Sequence, residues 1–154
     1  MTLTIGFTEQ NNFSSLNGLQ ILIVDDNADC LDLLKFLFEE FFVVVKIAKS
    51  VQEAMFLLMQ WQPDVLISAI AMPGEDGYSL MRQLRVIEKY QQRKPLAAIA
   101  ITSFIAQEKC IQGLDGFSMY AEKPLNLDAL LASVNYLAEQ KWHGEVDSKC
   151  LKCL

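Results

Sequence analysis

Apolar runs alternate along this chain with segments in which apolar residues recur at helical spacing. The first run, LQILIVD (19–25), consists of aliphatic and β-branched residues and is typical of a strand buried on both faces. Polar residues that can cap a helix follow it directly, and an amphipathic stripe comes next. The capping candidates are Asp26, Asn27 and Asp29, and the stripe consists of Leu31, Leu34, Phe38 and Phe41.

The same cycle repeats toward the end of the chain. Ser50 can cap a second helix that ends near Trp61, ahead of Pro63. Further strands are predicted at 42–48, 64–70, 96–102 and 116–122, and a short helix with a weaker pattern at 104–114. The other helices carry the stripes Val51, Ala54, Met55 and Leu58; Leu80, Leu84 and Ile87; and Leu127, Leu130, Leu131, Val134 and Leu137.

Five strands that alternate with five helices predict an α/β domain with right-handed crossovers and a parallel sheet covered on both faces. Ligands of such sheets bind beyond the carboxyl ends of the strands, near the topological switch point. The candidate functional residues are therefore those at the strand ends. They are Asp25 and Asp26, Ala69, Thr102 and Ser103, and Lys123 and Pro124.

Composition narrows the classes of function. The chain has 154 residues, 52% of them hydrophobic, which predicts one domain at 18–141 between a polar N-terminal extension at 1–17 and a tail at 142–154. Its net charge of -6 argues against nucleic-acid binding, which needs a clustered basic face. No stretch has the pattern of a signal peptide or the length of a bilayer span. We expect a cytoplasmic protein with protein partners or small ligands.

The tail contains a C-x-x-C pair, Cys150 and Cys153, with His143 nearby. A structural zinc site needs four ligands, so two free thiols in a tail are the simpler interpretation. The tail is also too short and too polar to fold alone. We therefore expect output through binding by the domain itself.

Two consecutive carboxylates, Asp25 and Asp26, end the first strand. Like charges about 4 Å apart repel by ~4 kcal/mol at an effective dielectric of 20, and a divalent cation such as magnesium relieves this repulsion. The pair is equally explained if one aspartate caps the helix and the other is solvated. Lys123 can neutralise the acidic end, hold an anion or lie at the surface, and Thr102 offers one hydroxyl.

Together, two acids, a hydroxyl and a lysine at successive strand ends suit a site that transfers or senses a phosphoryl group. A covalent relay also needs a nucleophile at the end of the middle strand, and the methyl group of Ala69 cannot act as one. Ser68 should point to the other face of the sheet. Asp64 lies too far back along the strand, and Glu75 and Asp76 lie in the loop beyond Pro73.

The chain resembles the receiver domains of two-component response regulators over about residues 18 to 140. The resemblance depends on IVDDN, PDVLISAIAMPGEDGY, AIT and EKP, which occur in that order. It implies a flavodoxin-like, five-stranded parallel sheet of order 2-1-3-4-5 with helices on both faces. The family's partners would be a histidine kinase or phosphotransfer protein, and a downstream protein that binds the face of the fourth helix, fifth strand and fifth helix.

The resemblance also implies roles for individual residues. Asp25, Asp26 and the backbone carbonyl of Ala71 match the magnesium ligands, and Tyr120 matches an aromatic residue that changes orientation on activation. Thr102 and Lys123, which is followed by Pro124, match the residues that contact the phosphoryl group. The position of the acceptor aspartate is occupied by Ala69, which puts phosphorylation in doubt and predicts weakened magnesium binding.

Two explanations fit the alanine at position 69. The chain is either a naturally degenerate receiver that serves as a constitutive binding module, or an ordinary receiver in which the acceptor has been substituted.

Three other functions are weighed against a signalling receiver. A flavodoxin-like cofactor binder would need a phosphate-cradling loop where this chain has two carboxylates. A magnesium-dependent phosphatase with Asp25 or Asp26 as nucleophile would need a substrate-recognition insert. A purely structural domain would lack kinase docking on the first-helix face near Asp29 and Asp32. We expect no enzymatic activity.

Overall fold

The alternation of strands and helices in the sequence is present in the fold. The computed structural model describes residues 13–103 and 116–142, so the predicted helix at 104–114 and the C-x-x-C tail lie outside the described residues. A 3-10 turn, Ser14–Leu16, precedes the first strand. The elements that follow are β1 (Gln20–Val24), α1 (Ala28–Glu39), β2 (Val44–Ala48), α2 (Val51–Gln60), β3 (Val65–Ala69), α3 (Gly77–Tyr90), β4 (Ala97–Thr102), β5 (Met119–Glu122) and α4 (Leu127–Trp142).

The five strands form one parallel sheet in the order β2-β1-β3-β4-β5, which confirms the predicted fold class. Because the strands are parallel, their carboxyl ends lie along one edge of the sheet. At that edge Val24 is paired with Ala48 and Ser68, and Thr102 is paired with Glu122. The residues that follow β1, β3, β4 and β5 are thereby brought together.

Each of four helices begins at a short polar side chain that accepts a backbone N–H of its first turn. Asn27 caps α1 at 3.1 Å, Ser50 caps α2 at 3.1 Å and Asp76 caps α3 at 2.9 Å. Asn126 accepts from the N–H of Ala129 at 3.0 Å at the start of α4. Such a cap contributes about 1 kcal/mol. Among the three candidates before α1, the structure uses Asn27.

The helices cover both faces of the sheet. One face packs against α1 and α4 and the other against α2 and α3, and β3 is buried along its whole length. The core of the first layer includes Ile21, Ile23, Leu31, Leu34, Phe38, Ile67, Leu130, Leu131 and Val134. The core of the second includes Leu22, Val24, Val51, Ala54, Leu58, Leu66, Leu80, Leu84, Phe117 and Tyr120.

The start of β2 differs from the prediction. The apolar run at 42–48 predicts a strand from residue 42, but β2 begins at Val44. Phe42 instead has a φ of 62°, and its carbonyl accepts the N–H of Gly18 at 2.9 Å. The chain needs this left-handed residue to turn from α1 into the sheet, although the conformation costs a phenylalanine roughly 1–2 kcal/mol. The Phe42 ring is 73% exposed.

The structure also bears on membrane insertion. None of the helices in residues 13–103 and 116–142 combines the length and the hydropathy that a membrane span requires.

Candidate functional site

Asp25 lies at the centre of the edge where the strands end. Its backbone N–H donates to Ala48 O at 3.1 Å, which extends the β1–β2 pairing by one residue, and its side chain is 1% exposed. One carboxylate oxygen, Oδ1, accepts the N–H of Asn27 at 3.0 Å. The other, Oδ2, lies 3.4 Å from Lys123 Nζ. Both oxygens of this buried carboxylate are therefore engaged by groups of the chain itself.

Lys123 approaches Asp25 from the end of β5. Its backbone N–H donates to Thr102 O at 2.8 Å, and its bond to Pro124 is cis. The Lys123 side chain is 33% exposed, so the ion pair extends from the protein interior to the mouth of the site. Lys123 thus neutralises the acidic end of β1, as the sequence allowed, and of the two candidate acids it pairs with Asp25.

Asp26 and Ala71 occupy more open positions. The side chain of Asp26 is exposed, and Ala71 is exposed in the loop after β3. Pro73 and Gly74 continue that loop, and Gly74 has a φ of 80°. The two residues that match metal ligands besides Asp25 are therefore at the solvent side of the site.

Ala69 is the last residue of β3 and is 4% exposed. The first residue of α3, Gly77, packs against it so closely that a Cβ atom built on Gly77 would lie 2.4 Å from Ala69 O. The N–H of Gly77 donates to Ile70 O at 2.8 Å. The start of α3 is thus fixed against the backbone at the acceptor position.

The neighbouring polar side chains are held by other contacts. Ser68 is buried, and its hydroxyl donates to Ala69 O at 2.9 Å. Asp76 caps α3, and Glu75 accepts from Ser79 Oγ at 2.6 Å and from Gln83 Nε2 at 2.7 Å. None of these three oxygen-bearing side chains stands in for the missing aspartate, which agrees with the sequence argument.

Thr102 and Tyr120 lie on β4 and β5 and are both buried, with 6% and 3% of their surface exposed. The ring of Phe117 contacts Tyr120 edge-on with centroids 5.9 Å apart, and Tyr78 contacts Phe117 in the same way at 6.2 Å. The Tyr120 hydroxyl has no hydrogen-bond partner among the residues that the structure describes. Aromatic packing therefore holds Tyr120 inward.

Cys30 is a site residue that the sequence analysis missed. It lies in the first turn of α1, half-buried, with its thiol hydrogen-bonded to Asp25. Burial, the negative charge of Asp25 and the hydrogen bond to Asp25 together raise the pKa of the Cys30 thiol from 9.0 to about 11, against an opposing effect of Lys123. Its position three residues after the cap Asn27, directly beyond the strand end, was the signal that could have indicated it.

The residues present fit a magnesium site poorly. Within the described part of the chain, no three acidic, histidine or cysteine side chains are arranged to hold a metal ion. Asp25 uses both oxygens for Asn27 and Lys123, and Ala69 contributes only a methyl group. Magnesium in proteins prefers several oxygen ligands in octahedral geometry. The two carboxylates present are buried Asp25, which is paired with Lys123, and exposed Asp26. They do not supply such a set of oxygen ligands.

Residues 21–135 match the family model of the response regulator receiver domain. The chain belongs to the response regulator receiver domain family. An uncharacterized 14.6 kDa protein encoded in the sodA1 3' region of Leptolyngbya boryana is 36% identical over 113 residues, which are 73% of this chain and 84% of that protein. The aligned residues thus make up most of both chains.

A second relative is a much larger protein. Hybrid signal transduction histidine kinase D of Dictyostelium discoideum is 33% identical over 150 residues, which are 92% of this chain but 10% of the kinase. Among solved structures, the receiver domain of the Francisella response regulator 1452 is 29% identical, with a TM-score of 0.70 over 80% of this chain and 99% of that domain. This receiver domain is therefore a module of two-component phosphorelay signalling.

Proposed function

We propose that this receiver domain signals by binding protein partners and does not accept a phosphoryl group. One observation carries the proposal: the buried end of β3, where the family's acceptor would stand, is the methyl group of Ala69. Phosphoryl transfer to a receiver forms a covalent acyl phosphate, which requires a carboxylate nucleophile. Two oxygen-bearing side chains close to Ala69 in the sequence, Ser68 and Asp76, are each held in another hydrogen bond.

The pocket is electrostatically balanced without an acceptor. A buried carboxylate needs a partner, and Asp25 obtains one from Lys123 at 3.4 Å, with a second hydrogen bond from Asn27. In this arrangement the lysine of the pocket serves the acid of β1 instead of a phosphoryl group. We therefore propose that the domain keeps one charge state of its pocket in the presence and absence of phosphodonors.

Magnesium binding is weak in this proposal. The magnesium set implied by the family is Asp25, Asp26 and the Ala71 carbonyl, together with the acceptor carboxylate that this chain lacks. When bound, magnesium would supply positive charge beside the two aspartates. Because Lys123 already supplies positive charge to Asp25, the remaining attraction of the site for a dication is small.

The family of the domain and the exposed side of α1 support a proposal for the upstream protein partner. A histidine kinase relative that contains a receiver-like segment supports a histidine kinase or phosphotransfer protein as the upstream partner. Leu33 and Phe36 are exposed on the outer side of α1, 48% and 56%, beside Asp29 and Asp32. Exposed apolar side chains flanked by charges are typical of a docking surface. We propose that the upstream partner docks there.

The downstream partner is proposed to bind the face formed by the predicted helix at 104–114, β5 and α4. Tyr120 belongs to β5, and its buried ring packs against Phe117. The proposal assigns binding to the domain and no catalytic turnover, because the buried carboxylate of the pocket, Asp25, is held in an ion pair with Lys123. We place this activity in the cytoplasm.

Restoring the acceptor tests whether this edge of the sheet is a receiver pocket. The variants are Ala69→Asp and, as a matched control of the same size without a carboxylate, Ala69→Asn. Each is incubated with magnesium and a small phosphodonor and analysed by intact-mass spectrometry. The aspartate variant is expected to gain one phosphoryl group and the asparagine variant none. Failure of the aspartate variant, when circular dichroism shows it folded, would refute the assignment of the pocket.

A further inference from the structure

A large share of the positive charge of this acidic chain lies on α3 and in the loop that follows it. Five of the 13 Lys and Arg residues lie between 82 and 94, where Glu88 is the sole acid. Glu88 is buried and paired with Arg85 at 2.7 Å, and Arg85 also donates to Leu96 O and Gly116 O. This ion pair therefore links α3 to the segments that precede β4 and β5. Arg93, in the loop after α3, donates to Leu58 O at 3.2 Å, and the remaining cations of the range, Arg82, Lys89 and Lys94, are exposed.

We use the term basic α3 face for Arg82, Val86, Lys89 and Tyr90, which recur at helical spacing opposite the buried side of α3. Val86 is 67% exposed and Tyr90 is 90% exposed, and Arg82 and Lys89 are exposed beside them. A cation in the last turn, such as Lys89, stabilises a helix through its dipole. That effect does not explain Arg82 in mid-helix or the two apolar side chains in water.

The acidic α1 face has the opposite charge and a similar apolar centre. It consists of Asp32, Leu33, Phe36 and Glu39, again at helical spacing and on the exposed side of the helix. Phe36 is 56% exposed and Leu33 is 48% exposed. Glu39 lies in the last turn of α1, where the helix dipole disfavours an acid. Helix stability therefore does not account for the acidic end of this face.

We infer that the basic α3 face of one copy binds the acidic α1 face of a second copy. Val86 and Tyr90 would cover Phe36 and Leu33, while the cations of one face meet the acids of the other. The two helices lie on opposite faces of the sheet, so both surfaces of one molecule can be occupied at once. The contact is heterologous, which means that it joins different surfaces of the two copies. Further copies can therefore add head to tail, and the association does not stop at a closed dimer.

The contact is weak and sensitive to salt. Two single helices in contact bury less surface than a stable interface, which needs roughly 1,200 Å² or more. The chain also carries a net charge of -6. The attraction between exposed charges on the two copies is screened beyond about 8–10 Å at physiological ionic strength. This inference does not depend on the proposed function. An upstream partner on α1 would compete with the second copy for Leu33 and Phe36.

Sedimentation equilibrium of the full chain under reducing conditions tests the association. At low ionic strength the weight-average mass is expected to exceed the monomer value of 17.4 kDa and to rise with protein concentration. Addition of salt should return it toward the monomer. A wild-type chain that stays monomeric at every concentration and salt level overturns the inference and leaves the basic α3 face to a different acidic partner.

Charge reversal identifies the two faces. The double variant Arg82→Glu/Lys89→Glu makes the basic α3 face acidic. The double variant Asp32→Lys/Glu39→Lys makes the acidic α1 face basic. Each variant alone is therefore expected to be monomeric. An equimolar mixture of the two variants should associate again, because the acidic faces of one variant meet the basic faces of the other.

The first variant keeps its acidic α1 face but has an acidic α3 face, and the second keeps its basic α3 face but has a basic α1 face. Both α1–α3 pairings between the two molecules therefore join opposite charges, one with the native polarity and one with the reversed polarity. The two variants are expected to add to each other in alternation, and the weight-average mass of the mixture should rise above the monomer value. A mixture that remains monomeric, or variants that associate alone, contradict the inference.

A matched pair of tyrosine variants tests the apolar part of the contact. Tyr90→Ala should weaken the association several-fold, whereas Tyr136→Ala removes a 37% exposed tyrosine from α4 and should leave it unchanged. Thermal unfolding of both variants shows whether the fold is intact. Equal effects of the two substitutions would contradict a specific contact at the basic α3 face.

Discussion

At the scale of single residues, the pocket depends on the buried carboxylate of Asp25. Lys123→Met keeps the length of the side chain but removes its positive charge, which leaves Asp25 without its ion partner. The free energy of unfolding should fall by about 1–2 kcal/mol, less than for a fully buried pair because Lys123 is partly exposed. Urea denaturation measures the change. Asp25→Asn in the Lys123→Met background should recover part of the loss, and equal stability of the wild type and Lys123→Met would contradict the role of the pair.

The thiol of Cys30 makes a second prediction at this scale. Its pKa is raised to about 11, so the folded protein keeps the thiol proton at pH values where an unfolded thiol, with a pKa of 9.0, ionises. The stability of the fold should therefore decline as pH rises from about 9 to about 11. Alkylation mapped by mass spectrometry should find Cys30 slow to react at pH 9 in the folded protein and fast in urea. Rapid alkylation of the folded protein at pH 9 would contradict the raised pKa.

At the scale of elements, the contact between α3 and the end of β3 is set by a glycine. A Cβ on Gly77 would lie 2.4 Å from Ala69 O and 3.0 Å from Ile70 Cα, so Gly77→Ala must displace backbone. We expect a loss of about 3 kcal/mol in the free energy of unfolding. Gly74→Ala is the control: it meets no atom within 4 Å, and its φ of 80° costs only roughly 1–2 kcal/mol. Equal losses for the two variants would argue against the close contact.

The sequence predicted most elements because local signals agree with the fold. Ser50, followed by an apolar stripe, predicted both the cap and the buried face of α2. The β-branched run at 64–70 predicted the fully buried strand β3. The sequence prediction failed where a distant residue determines the backbone conformation. The turn at Phe42 depends on a hydrogen bond to Gly18, and an apolar run does not reveal that bond.

At the scale of the whole molecule, the topology explains which part of the site was predictable. Parallel strands bring their carboxyl ends together, so Asp25, Thr102 and Lys123 were expected at one edge from the strand pattern alone. The pairing of Lys123 with Asp25 and the thiol of Cys30 beside it depend on side-chain directions in three dimensions. Spacing along the sequence does not fix these directions.

Magnesium binding is a property of the assembled pocket. We expect millimolar magnesium to change tryptophan and tyrosine fluorescence little and to raise the free energy of unfolding by less than about 0.4 kcal/mol, the value reached when magnesium equals its Kd. The reason is that Asp25 is neutralised and the third carboxylate is absent. Ala69→Asp should bind more tightly. A clear stabilisation of the native chain by millimolar magnesium would contradict the electrostatic balance proposed for the pocket.

The central claim is that this receiver domain cannot receive a phosphoryl group. The most direct measurement is intact-mass spectrometry of the native chain after incubation with magnesium and an excess of a small phosphodonor, followed over time. The account predicts no added phosphoryl mass at any time, because Ala69 offers no nucleophile and Asp25 is engaged by Asn27 and Lys123. Stoichiometric gain of one phosphoryl group on any aspartate of the native chain would contradict it.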